Sequence, residues 1–128
     1  MNSNQNVQFA ITAYVQRVVS DYANDLISIT LYGSQARGEA SPESDIDLFV
    51  VVKRRIPELE EALIHVAWEI QFEHDVVIAD VIRGLDELEH LQYEGFPYYQ
   101  SLEREGILLW MNPSVPMPDY VGSVPLKN

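Results

Sequence analysis

Two predicted strands joined by a small polar segment place the strongest constraint on how this chain can fold. Residues 26–32 alternate Ile and Leu with Ser, Thr and Tyr, which is typical of a β-strand. Residues 45–52 begin with two aspartates and end in Phe-Val-Val-Val, apolar on both faces, which predicts a strand at the centre of a sheet. Gly33-Ser34 follows the first strand directly and supplies a tight turn. We therefore predict that residues 26–52 form the centre of the fold.

Asp45 and Asp47 are two residues apart, so on a strand their carboxylates point to the same face. Two neighbouring carboxylates repel each other unless a cation lies between them. Mg²⁺ suits such a pair, because it takes one or two protein carboxylates and is otherwise coordinated by water and substrate phosphates. The spacing predicts that Asp45 and Asp47 hold a divalent metal ion.

Gly33, Ser34 and Arg37 are candidates for binding phosphate. A turn at Gly33-Ser34 exposes backbone N–H groups and a hydroxyl, and a short helical turn over residues 34–38 would direct further amides at an anion. The Arg37 guanidinium can donate two parallel hydrogen bonds to phosphate oxygens. The alternative for Arg37 is an ion pair with a surface acid such as Glu39 or Glu43. Together with the acidic pair, these residues indicate a site for a metal-bound nucleotide.

A family resemblance rests on this spacing. Gly33-Ser34, ten residues and then Asp45-Ile46-Asp47 resemble the GS-x10-DxD signature of the DNA polymerase β-like nucleotidyltransferase superfamily. The segment GSQARGEASPESDIDL is similar in particular to the minimal nucleotidyltransferases (MNT), the antitoxins of HEPN/MNT toxin–antitoxin pairs, although Gln35 stands where Arg is frequent. The resemblance implies an α/β (α+β) fold, a small nucleotidyltransferase domain with a mixed sheet of about four strands and helices on one side.

The superfamily usually adds a third carboxylate from a neighbouring strand, and two residues compete for that place. Asp80, followed by Val81-Ile82, resembles the corresponding family segment, so we assign it as the third metal-ligating and catalytic carboxylate. Asp75 lies at the start of the predicted strand 75–82 and would alternate onto the opposite face. A third carboxylate there would accept the proton of the attacking hydroxyl or bind the metal.

The activity implied by the resemblance is Mg²⁺-dependent transfer of AMP from ATP, with one or two metal ions. The implied acceptor is a tyrosine hydroxyl on a HEPN-type ribonuclease toxin, which the modification would silence. The alternative is a non-catalytic antitoxin that neutralises its partner by binding alone. A transferase for a small molecule such as an aminoglycoside is a weaker alternative, because relatives of that kind usually need a further substrate domain.

The charge of the chain bears on its partners. The 128 residues include 20 acidic and 8 basic side chains, a net charge of −12. This charge disfavours direct binding of nucleic acid and favours a basic protein surface. The three consecutive basic residues at 53–55 could contact a nucleotide, but they read more simply as a solvated connection. The composition, without cysteine, a signal peptide or a long apolar run, leads us to expect a cytoplasmic protein that does not enter a membrane. A homo-oligomer is compatible with the sequence.

The remaining elements complete one domain. Helical spacing predicts helices over residues 7–22 and from Pro57 onward, with Ile56 in the buried stripe of the second helix and Trp68 off that stripe, suited to a partner contact. Residues 41–44 form a predicted polar turn, and residues 107–110 form either a last short strand or a segment that packs on the core. We assign residues 1–110 to a minimal nucleotidyltransferase domain and residues 111–128, rich in proline, to a C-terminal tail.

Overall fold

The computed structural model of the protein describes residues 3–38, 45–88 and 105–115. Its elements are α1 (Ser3–Tyr22), β1 (Leu26–Tyr32), α2 (Gly33–Arg37), β2 (Ile46–Val52), α3 (Pro57–His74), β3 (Ile78–Gly84) and β4 (Ile107–Met111). The predicted turn at residues 41–44 and most of the predicted tail at 111–128 lie outside the described residues. The division at residue 110 remains a prediction, although β4 continues to Met111, one residue beyond it. The third strand begins at Ile78, three residues later than predicted.

The four strands form one mixed sheet in the order β3-β2-β1-β4. β1 is antiparallel to both β2 and β4, whereas β2 and β3 are parallel. A parallel pair needs a long crossover, and α3 provides it between β2 and β3. This architecture confirms the predicted α/β fold with a mixed sheet of about four strands.

The long helices cover one face of the sheet. α1 and α3 pack against each other and contribute Tyr14, Val18, Leu63 and Ile70 to a core with the apolar residues of that sheet face. The opposite face carries a smaller cluster that includes Phe49 of β2 and Leu88 from a helical turn at residues 85–88. β2 is therefore buried on both faces, as its Phe-Val-Val-Val sequence predicts.

α3 begins and ends as local chemistry requires. Pro57 lies in the first turn, where its missing N–H costs nothing, and Glu58 and Glu60 are favourable near the positive end of the helix. Ile56 precedes the helix in extended conformation and is 47% exposed, so its predicted place in the buried stripe was wrong.

In the part of the chain that the structure describes, the helices are too short or too polar to cross a membrane.

Candidate active site

The end of β1 and the start of β2 meet at one edge of the sheet. In the antiparallel register Tyr32 lies opposite Asp47, so both side chains project from the same face. That face is the one opposite α1 and α3, because Leu48 on the other side of β2 belongs to the helix-covered core. Gly33 directly follows Tyr32 and is thereby placed beside the aspartate.

Gly33 lies against the side chain of Asp47. Its φ angle is +73°, in the left-handed region that favours glycine. A Cβ atom at Gly33 would overlap Asp47 Oδ2 and would lie 3.2 Å from Asp47 Cγ. The backbone of the predicted phosphate-binding turn therefore lies in direct contact with one of the two predicted metal ligands.

Asp45 and Asp47 differ in their surroundings. Asp45 is exposed just before β2, whereas Asp47 is partly buried. Burial raises the pKa of Asp47, the negative charge of Asp45 raises it further, and the Arg37 guanidinium acts in the opposite direction. The carboxylates of Asp45 and Asp47 and the guanidinium of Arg37 are therefore close enough to interact. Their predicted role in one nucleotide site requires this proximity.

Arg37 is positioned by a short helix and by an acidic residue that lies just before the last strand. Gly38, with a φ of +74°, ends α2 immediately after Arg37. Arg37 Nη1 donates a hydrogen bond to Glu105 Oε1 at 3.3 Å, and about a third of each side chain remains exposed. The predicted alternative of an ion pair thus exists, although its acid is Glu105. Ser34 lies in α2 next to Gly33 and is partly exposed.

Asp80 is placed on the other face of the sheet. In the parallel register Asp80 lies beside Leu48, and Asp47 lies beside Ala79. The Tyr14 hydroxyl of α1 donates a hydrogen bond to Asp80 Oδ2 at 2.9 Å. Burial raises the pKa of Asp80, and the bond from Tyr14 opposes that shift. The predicted catalytic and metal-binding role of Asp80 therefore lacks the geometry it needs.

Asp75 does not replace Asp80. It ends α3 with a left-handed φ of +53° and is exposed before β3 begins, so it does not alternate along a strand as expected. Within residues 3–38, 45–88 and 105–115 there is no group of three or more acidic, His or Cys side chains that could hold a metal ion. Asp45 and Asp47 remain as two adjacent oxygen donors, which suffice for Mg²⁺ with water and phosphate as its other ligands.

Tyr32 and Glu105 are two site residues that the sequence interpretation missed. The Tyr32 ring lies edge-on to Phe49, with ring centroids 6.4 Å apart, and adds an aromatic surface beside Asp47. Glu105 comes to the site because β4 pairs with β1 so that Ile107 is opposite Leu31. Alternation along residues 26–32 could have indicated Tyr32, but Glu105 required knowledge of the strand order.

The basic residues at 53–55 lie at the other end of β2 from the acidic pair. Arg55 donates two hydrogen bonds of 2.7 Å to the Glu87 carboxylate and a third, of 3.3 Å, to Glu60. Arg55 thereby joins the end of β2 to the helical turn that follows β3. This arrangement supports the interpretation of residues 53–55 as a connection.

Comparisons with known proteins agree with this geometry. The family model described as a nucleotidyltransferase domain matches residues 13–105. A candidate protein adenylyltransferase of Methanocaldococcus jannaschii is 48% identical over 40 residues, which are 31% of this chain and 27% of that relative. The match thus spans about a quarter of the relative's length.

Solved structures share the fold at low sequence identity. A toxin–antitoxin structure with AMP-PNP has a TM-score of 0.56 and 19% identity, covering 88% of this chain and 76% of the other. A structure of a tri-AMPylated Shewanella oneidensis HEPN toxin in complex with MNT antitoxin has a TM-score of 0.50 and 18% identity, covering 86% and 73%. Because the family model spans most of the sequence, this chain belongs to the nucleotidyltransferase domain family.

Proposed function

We propose that this protein transfers AMP from ATP to a tyrosine hydroxyl of a HEPN-type protein and thereby acts as an antitoxin. The observation that carries the proposal is the contact between Gly33 and Asp47, because it brings the turn that we propose to bind phosphate against a carboxylate that we propose to bind metal. The family match supports nucleotidyl transfer. The toxin–antitoxin neighbours, one with AMP-PNP and one with an AMPylated HEPN toxin, support the nucleotide and the partner.

Each site residue has a role in this proposal. Asp45 and Asp47 would hold Mg²⁺, which when bound neutralises charge on the triphosphate. The backbone amides of Gly33 and Ser34 and the hydroxyl of Ser34 bind the β- and γ-phosphates, and Arg37 contacts a phosphate oxygen. The chain thereby orients the α-phosphorus toward the acceptor, and most of the catalysis is positioning and electrostatic stabilisation.

The proposed AMP transfer replaces one bond to the α-phosphorus of ATP by another. The acceptor oxygen forms a bond to the α-phosphorus while the bond from that phosphorus to the bridging oxygen breaks. Pyrophosphate leaves with the bonding electron pair, and the hydroxyl proton is released to solvent. The proposal gives Asp80 no part in the transfer, because its side chain bonds to Tyr14 of α1 and lies on the other face of the sheet from Asp47.

The test uses ATP labelled at the α-phosphate, Mg²⁺ and a purified HEPN-type protein encoded next to this chain. We expect the wild type to label the partner and the D45N/D47N variant to lose the label by several orders of magnitude. D80N is the matched control, because it makes the same acid-to-amide change on the opposite sheet face and should retain labelling. Protection of the partner without any label would instead support an antitoxin that acts by binding alone.

A further inference from the structure

The outer surface of α3 carries a row of large side chains that the fold itself does not use. Ile64, Trp68 and Phe72 recur every four residues, so they share one side of the helix. Their exposed fractions are 46%, 54% and 72%. The Trp68 and Phe72 rings are in contact, with centroids 4.6 Å apart at an angle of 72°. We call Glu61, Ile64, Trp68 and Phe72 the outer stripe of α3.

The outer stripe is not part of the core. The core side of α3 is formed by other residues, all buried: Leu59, Leu63, Val66, Ala67 and Ile70. Single exposed apolar residues are common, but adjoining exposed Trp and Phe side chains mark contact surfaces, because aromatic residues dominate the centres of protein interfaces. The stripe therefore has the composition of a binding surface.

The charge around the outer stripe indicates what it binds. α3 contains five glutamates and neither Lys nor Arg. Glu61 lies within the stripe, and Glu69 and Glu73 run along one flank, where Arg17 of α1 pairs with both at 3.6 and 3.1 Å. The whole chain carries a net charge of −12. A complementary surface is therefore basic around an apolar centre.

We propose that the outer stripe of α3 is a docking surface for a basic protein partner. The partner presents an apolar groove that receives Trp68 and Phe72, bordered by Lys and Arg side chains that face the glutamates of α3. A second copy of this chain fits poorly, because a two-fold axis would set the glutamates of one α3 against those of the other. Such like-charge opposition disfavours association.

Docking and chemistry would occupy separate places on the molecule. α3 covers the sheet face opposite Asp47, and its outer stripe points away from the sheet. A partner bound to the stripe leaves the acidic pair open both to nucleotide and to the acceptor tyrosine of a second partner molecule. Substitutions in the stripe can therefore weaken the complex without changing the nucleotide site, and substitutions at the acidic pair can change nucleotide binding without weakening the complex.

The experiment measures the affinity of the full chain for the HEPN-type protein of the proposed function, and to that extent it rests on that proposal. W68A/F72A should weaken binding at least about 30-fold, because truncating central aromatic anchors typically costs 2 kcal/mol or more. Phe9→Ala is the matched control, since Phe9 is 51% exposed but belongs to α1 and not to the stripe, and its truncation should leave the affinity within twofold. The temperature of thermal unfolding and the affinity for AMP-PNP should be the same in the wild type, W68A/F72A and F9A.

Three results would overturn the docking surface. The first is unchanged affinity in W68A/F72A, and the second is absence of any complex with the wild type. The third is a wild-type homodimer that W68A/F72A converts to a monomer, which would assign the stripe to a second copy. Failure of the proposed function would give a different result: the wild type would form a stable complex with the partner but would transfer no label to it.

Discussion

Replacement of Gly33 by alanine tests the contact on which the active site depends. The left-handed conformation at Gly33, with φ at +73°, costs a non-glycine residue about 1–2 kcal/mol. The new Cβ would also overlap Asp47 Oδ2 and push that side chain off its rotamer, which adds about 0.5–1.5 kcal/mol. We expect G33A to lower the free energy of unfolding by about 2–3 kcal/mol.

Gly38→Ala is a matched control for this substitution. Gly38 has nearly the same φ, +74°, but a Cβ there would have no atom of the described residues within 4 Å. G38A should therefore lose about 1–2 kcal/mol from the conformational term alone and keep Asp47 in place. The difference between the two variants isolates the displacement of the carboxylate.

The assay combines urea unfolding with titration of Mg²⁺ and AMP-PNP. G33A should weaken nucleotide binding at least about tenfold, equivalent to about 1.4 kcal/mol, whereas G38A should bind like the wild type. Wild-type affinity in G33A would refute the argument that the turn and the acidic pair form one site. Equal losses in both variants would show that backbone strain, and not Asp47, controls binding.

Three further changes test other parts of the structure. E105Q removes a carboxylate that competes with phosphate for Arg37, so it should tighten AMP-PNP binding by up to about fivefold by calorimetry; weaker binding would contradict this. Asp80 binds its proton more tightly in the folded state, so its contribution to stability is lost as pH rises from its ordinary pKa of 3.8 through the raised pKa. Unfolding at several pH values should therefore show D80N gaining stability relative to wild type as pH rises, and a constant difference would refute the shift. N112A should cost about 2 kcal/mol in urea unfolding, because it removes both hydrogen bonds that the Asn112 amide donates to backbone carbonyls; a change under 0.5 kcal/mol would contradict this.

Local patterns predicted most of the fold and half of the site geometry. The alternation in residues 26–32 and the apolar run in 49–52 gave both central strands, because strand periodicity depends only on neighbours along the chain. Gly33 and Asp47 were predicted for the same reason, since each follows from its position in a strand or turn. Such features need no knowledge of how the strands pair.

Asp80 shows what local patterns leave open. Its place within a strand was predicted, but which face it would occupy depends on the register between β2 and β3. A shift of one residue moves every side chain of a strand to the other face. The actual register sets Ala79, and not Asp80, beside Asp47, and Asp80 is instead bound by Tyr14 from a helix 66 residues earlier in the sequence.

The acidity of the chain and the geometry of its site are connected. A triphosphate approaching Asp45 and Asp47 meets two carboxylates and a molecule with a net charge of −12. Among the described residues, Arg37 is the cation whose charge reaches Asp47, and Glu105 already neutralises part of it. The proposed Mg²⁺ must therefore supply most of the attraction at the site, whereas the same negative charge assists a basic partner that approaches α3. Under the two proposals, one charge distribution makes the nucleotide site depend on metal and selects the kind of protein that can dock on the opposite side.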